Sequence, residues 1–107
     1  IRDAYDAMAA AADMEAWAAA DLRFHHAVLD ATGNALLRPL FSVIETALGS
    51  YLLLSARKAD ADFKYSLPRH ASVYEAIAAR DPHAARQAML DMIADSRRNL
   101  RSGSQVP

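Results

Sequence analysis

Along most of this chain apolar residues return every three or four positions, the interval that places them on one side of a helix. From Ile1 to about Ala12 the stripe is Ile1, Tyr5, Met8 and Ala12, with Arg2, Asp3 and Asp6 on the solvent side. Asp13 is placed to cap a second helix running to about Thr32, because its carboxylate can accept from the free amides of a first turn. On that helix Trp17, Asp21, Val28 and Thr32 share a face, with His25 and Leu29 beside them. Gly33 supplies the left-handed residue that ends a helix, and Asn34 can cap the next. A third helix is expected from Ala35 to Ala56, with Leu37, Leu40, Ile44, Ala47, Leu48, Tyr51 and Ser55 inward. Pro39 falls in its first turns, where a missing amide costs little, and Gly49 permits a bend or a close approach. Arg57 to Lys64 lacks apolar periodicity and reads as a loop.

Ser66 and Pro68 predict the start of a fourth helix reaching about Ala79, with His70, Val73, Tyr74 and Ile77 on one side. Asp81-Pro82 is a restart signal, a capping carboxylate followed by a residue with fixed φ and no amide to satisfy. The fifth helix then extends to about Leu100, with Ala85, Met89, Met92, Ile93, Ser96 and Leu100 inward. Arg97, Arg98 and Arg101 are expected near its C-terminus, and Ser102 to Pro107 as a flexible tail. The pattern predicts an all-α, antiparallel helical bundle with short connections, occupying residues 1–101.

Composition narrows the function. The 107 residues suffice for one domain, and the 53% hydrophobic content comes with only three glycines and four prolines. Formal net charge is −1, so the chain has no general basic bias toward nucleic acid. There is no cysteine, hence no disulfide or thiolate chemistry, which fits a cytoplasmic protein. No apolar run approaches the roughly 18 residues that would cross a membrane, and the start is not a signal peptide. Without an initiator methionine, the chain reads as part of a longer one.

Candidate chemistry lies in the inward polar residues. Asp21 and His25 are one turn apart on the second helix, and His70 faces inward from the fourth. A buried carboxylate needs a compensating partner. Two readings follow from the residues: an Asp–His ion pair with a core histidine, or a divalent cation held by one carboxylate and two imidazoles. Met92, Ser96 and Asn99 fall on or near the inward side of the fifth helix, and Ser55 on the third. These can line a ligand cavity, although a thioether is a poor ligand for a borderline divalent ion. Arg69 and Arg57 can supply charge-assisted bonds to a carboxylate, with Arg69 pointing about 100° away from His70. His26 points away from the core face and reads as solvent-exposed, and His83, in the first turn of the fifth helix where the dipole disfavours an imidazolium, is given no role. No phosphate-cradling glycine loop or Ser/His/Asp arrangement is present.

Certain spaced residues resemble a known family. Asp21-x-x-Phe24-His25 followed by Ala31-Thr32-Gly33-Asn34, then His70-x-x-Val73-Tyr74-x-Ala76-Ile77, Asp81, Ala85 and Ala88-Met89, is similar to the FCD ligand-binding domain, the C-terminal effector module of FadR-type GntR transcription regulators. The resemblance spans roughly Ala20 to Leu100. It implies a helical bundle with a central cavity, a divalent metal, and a small carboxylate or sugar acid bound beside it. It also implies a homodimer whose contact with DNA is made through a separate winged helix. Carried across, Asp21, His25 and His70 match three metal ligands, with zinc foremost and nickel or manganese as alternatives. The family's last histidine falls at Met92. The shell is then completed by water or the effector, or the metal is absent. The resemblance further implies an effector domain trimmed at its N-terminal side, lacking the winged helix and one helix. Two other functions stand beside the sensor. A two-His, one-Asp site with open positions suits a metal-dependent enzyme. An inert Asp–His pair suits a plain helical dimerisation module.

Overall fold

A computed structural model describes residues 1–56 and 64–105, with side chains over 1–50 and 64–98. Helix α1 spans Arg2–Ala10, α2 Met14–Ala31, α3 Arg38–Ala56, α4 Leu67–Ala78 and α5 Pro82–Gln105, with a 3-10 turn at Ala35–Leu37. The described residues are thus all-helical, as the periodicity predicts. α1 packs on α2 and α4, α4 on α5, and α3 on α2 and α5. No described helix is long and apolar enough to cross a membrane.

The core is where α1, α2, α4 and α5 meet. Met8, Trp17, Phe24 and Val73 are its largest fully enclosed side chains, joined by Ala4, Ala11, Ala20 and Met92. Alanines between the bulky residues let the helices approach closely, and Tyr5 stacks on Tyr74 where α1 crosses α4. Burying one such large side chain contributes on the order of 2 kcal/mol.

The helix ends follow local chemistry. Asp13 accepts from the Ala16 amide at 2.8 Å, as expected of an N-cap. Gly33 adopts φ +67° after α2, and the Asn34 side chain accepts from Leu36 N. The α4–α5 corner is a Schellman turn: Asp81 N bonds Ala76 O and Arg80 N bonds Ile77 O. Arg80 holds its left-handed position at φ 57°, and Asp81 then caps α5 through Ala84 N.

Several expectations are corrected. Ala12 is exposed and Ala11 buried, because α1 stops at Ala10 and the extended Ala11 breaks the helical phase. Thr32 is also exposed, its hydroxyl donating to Leu29 O and accepting from Asn34 N. The side of α3 turned toward its neighbours is Phe41, Ile44 and Leu48, continuing Leu37 of the preceding 3-10 turn, while Leu40 and Ala47 face out. An apolar stripe this wide leaves its centre undetermined by about one residue, and the packing of α2 and α5 chooses it. Ile93 is 49% exposed for the same reason. Gly49 lies inside a continuous helix, and a Cβ there would meet nothing within 4 Å, so it serves no close approach.

α5 continues through Gln105, past the expected end at Leu100 and into the segment read as a tail. Arg97 and Arg98 therefore stand well before its C-terminus. Of the expected loop, 57–63 lies outside the described residues, as do the side chains of Tyr51, Ser55 and Leu100.

Candidate metal centre

α2 and α4 bring Asp21, His25 and His70 together. The first two are one turn apart on α2, and the third lies in the first turn of α4. A single carboxylate oxygen, Asp21 Oδ1, is 3.0 Å from His70 Nε2 and 3.2 Å from His25 Nε2. One potential ligand atom from each residue lies within 4.8 Å of the others. Asp21 and His70 are buried, whereas the His25 side chain is 19% exposed and forms the open side.

His70 is oriented from every direction. Its Nδ1 lies 2.8 Å from Ser66 O. Phe24 meets its ring edge-on at 4.9 Å and Trp17 at 6.0 Å. Phe24 also meets His25 edge-on at 5.6 Å, so one phenyl ring fixes both imidazoles.

The bond to Ser66 has a chemical consequence. A carbonyl can only accept, so Nδ1 carries a hydrogen. In a neutral ring Nε2 then presents a lone pair, and it faces the lone pairs of Asp21 Oδ1. Two acceptors in that position need a hydrogen or a cation between them. Burial pushes the Asp21 carboxyl up. The hydrogen bonds from His25 and His70, and their charge, outweigh it and hold the group below its ordinary value of 3.8. The carboxylate is thus kept ionised and ready to ligate.

The donor set fits a divalent ion. Ligand atoms of one tetrahedral zinc ion stand about 3.3 to 3.5 Å apart, so the two separations found here would need to widen by a few tenths of an ångström to admit it. A backbone carbonyl holding the far nitrogen of a histidine is the usual outer support of such a ligand.

Of the other expected site residues, those whose side chains are described lie on α4 and α5. Met92 is buried in the core cluster with Trp17 and Phe24, and Ser96 is half-buried one turn further along α5. Arg69 leaves α4 about 100° around from His70, and its Nε bonds Asp95 at 2.7 Å. It helps line a groove of about 470 Å³ between α4 and α5 that none of the three candidate ligands lines. The side chains of Ser55 and Asn99 lie outside those described. His26 is exposed, as expected, with its ring against Phe41, and His83 is exposed as well. Sequence reading did not assign the Ser66 carbonyl to His70. The available signal was the spacing of four residues across a helix start, which sets the His70 side chain beside the carbonyl that also accepts from the Arg69 and His70 amides.

A helical domain with one carboxylate and two imidazoles converging from two helices matches an FCD domain over residues 1–95. The chain belongs to the FCD family, the C-terminal effector domains of GntR/FadR-type regulators. It is similar to the galactonate operon transcriptional repressor of Escherichia coli (strain K12), with 35% identity over 89 residues. The match covers 83% of this chain and 39% of that protein, so the chain spans well under half of its relative's length. No solved structure gives a significant match.

Proposed function

We propose that this chain is the sensing part of a transcription regulator, taking a small organic or sugar acid beside a divalent metal held by Asp21, His25 and His70. The observation that carries the reading is the sharing of Asp21 Oδ1 by two imidazoles from different helices, 3.0 and 3.2 Å away, in a chain of the FCD family. The relative's name adds galactonate as the first acid to try. Zinc suits the nitrogen and oxygen donors best, followed by nickel and manganese.

A bound metal supplies a Lewis-acid anchor for the acid's carboxylate. The chain does the rest. Asp21 contributes the negative charge that retains a cation, and His25 gives access from its open side. His70, fixed by Ser66, joins α4 to α2. Met92 occupies the position of the family's remaining histidine, leaving that part of the shell to water or the acid. Ser96 is proposed as a contact to the acid, and Ser55 and Asn99 complete that proposal. The partly exposed Arg69, already bonded to Asp95, is not retained as a ligand contact. An acid bound unequally by two settings of α2 and α4 shifts the population between them. A winged-helix domain would pass that shift to DNA. Pairing of two copies belongs to the same proposal, supported by the exposed apolar residues Leu36, Leu40 and Val43.

The test is a thermal melt with zinc, then with zinc and galactonate. Each addition should raise the midpoint of the wild-type protein, and His25→Ala should lose both increments. An undiminished rise in that variant would overturn this site.

A further inference from the structure

The first turn of α4 carries two side chains aimed at different helices. His70 reaches inward to Asp21 on α2, while Arg69 reaches across to α5. Arg69 Nε donates to Asp95 Oδ2 at 2.7 Å, and its Nη1 stands 3.9 Å from Asp91 Oδ2. Both carboxylates are themselves held. Asp95 also accepts from Arg98, and Asp91 accepts from Gln87 at 3.0 Å. Two successive turns of α5 thus hold one guanidinium. A lone ion pair at this exposure would contribute little, but a guanidinium fixed to a braced carboxylate carries orientation as well as charge.

The location gives that grip its effect. Amides at a helix start lack partners inside the helix, and in α4 those of Arg69 and His70 both turn to Ser66 O, at 3.1 Å each, so the backbone of this turn hangs on one carbonyl. In α4 this turn contains both His70 and Arg69, directly after Ser66, whose carbonyl orients the His70 ring. A slip or rotation here moves His70 Nε2 away from Asp21 Oδ1. The tie to Asp95, about a quarter-turn around the helix, opposes such a movement.

We propose that Arg69, through Asp95, is a positioning residue for His70: it sets the angle of the first turn of α4 and thereby the approach of His70 to Asp21. The link also makes α5 sensitive to what the inner site holds, since any coupling between two places acts equally in both directions. Its expression in metal affinity rests on the metal reading above, whereas the placement of His70 does not.

The experiment follows the His70 ring nitrogens by NMR in chelator-treated protein, well below the thermal midpoint of every variant, and then titrates Zn²⁺ alone. Arg69→Gln and Asp95→Asn should each shift the His70 Nε2 resonance, and the double variant should add little to either. Zinc affinity should fall by roughly three- to tenfold, less than for loss of a direct support of a ligand. Arg69→Lys, which keeps the charge, should recover part of both effects, and Arg86→Gln on the exposed side of α5 should change neither. Unaltered His70 resonances in Arg69→Gln and Asp95→Asn would overturn the inference, even if their melting points drop. If the wild type binds no zinc while the resonances move as described, the metal reading fails and the positioning role stands.

Discussion

Asp21 is a residue whose ionisation is set by its surroundings. Its folded-state carboxyl lies below the ordinary 3.8, with burial opposing and the two imidazoles overcoming it. A depressed carboxyl adds stability above its unfolded value and loses it as pH falls through the folded one. In chelator, the stability gap between wild type and Asp21→Asn should therefore be full at pH values above about 4 and shrink on further acidification. Denaturant unfolding at several pH values measures it, and a gap that widens toward acid would contradict the assignment. Phe24 makes a second residue-scale case, because its fully buried ring touches both His25 and His70. Phe24→Ala should cost about 3 to 5 kcal/mol, and zinc affinity should fall in variants still folded at low temperature.

At two described positions, one inside a helix and one in the turn between two, the backbone and the residue disagree. Gly49 sits within α3, exposed and with open space around its missing Cβ. Gly49→Ala should stabilise the protein by about 0.5 to 1 kcal/mol, since glycine loses more chain entropy on entering a helix. Arg80 occupies the left-handed position of the α4–α5 Schellman turn at φ 57°. Arg80→Gly should leave both turn hydrogen bonds intact and relieve about 1 kcal/mol of steric cost. Urea midpoints would show each gain. A loss at Arg80→Gly would mean that the arginine side chain supplies more than the turn demands.

For the molecule as a whole, the site links α2 to α4 and the Arg69 tie links α4 to α5, so occupancy bears on three helices. Removing metal should then lower global stability. At a free ion concentration a hundred times the dissociation constant, binding adds about 2.7 kcal/mol, which for a domain near this size means a midpoint shift on the order of 10 °C. A chelator melt that coincides with the zinc melt would leave the Asp–His–His cluster a structural ion-pair network. The exposed Leu36, Leu40, Val43, Leu90 and Ile93 belong to the same scale: they are apolar residues that this fold of the chain leaves uncovered.

By itself the sequence determined what depends on neighbours a few positions away. Asp13, Gly33, Asn34 and Asp81-Pro82 fixed helix ends because caps and left-handed turns act within one turn of chain. The i, i+4 spacing placed Asp21 beside His25 for the same reason, and the spaced motifs identified the family. Only the tertiary structure decided which of two adjacent stripes of α3 faces inward, that Arg69 belongs to Asp95 and Asp91, and that the Ser66 carbonyl pins His70. It also brought His70 within 3.0 Å of Asp21, forty-nine positions away. These outcomes depend on how far one helix is rotated against another, and that angle is set by the fit of many side chains at once.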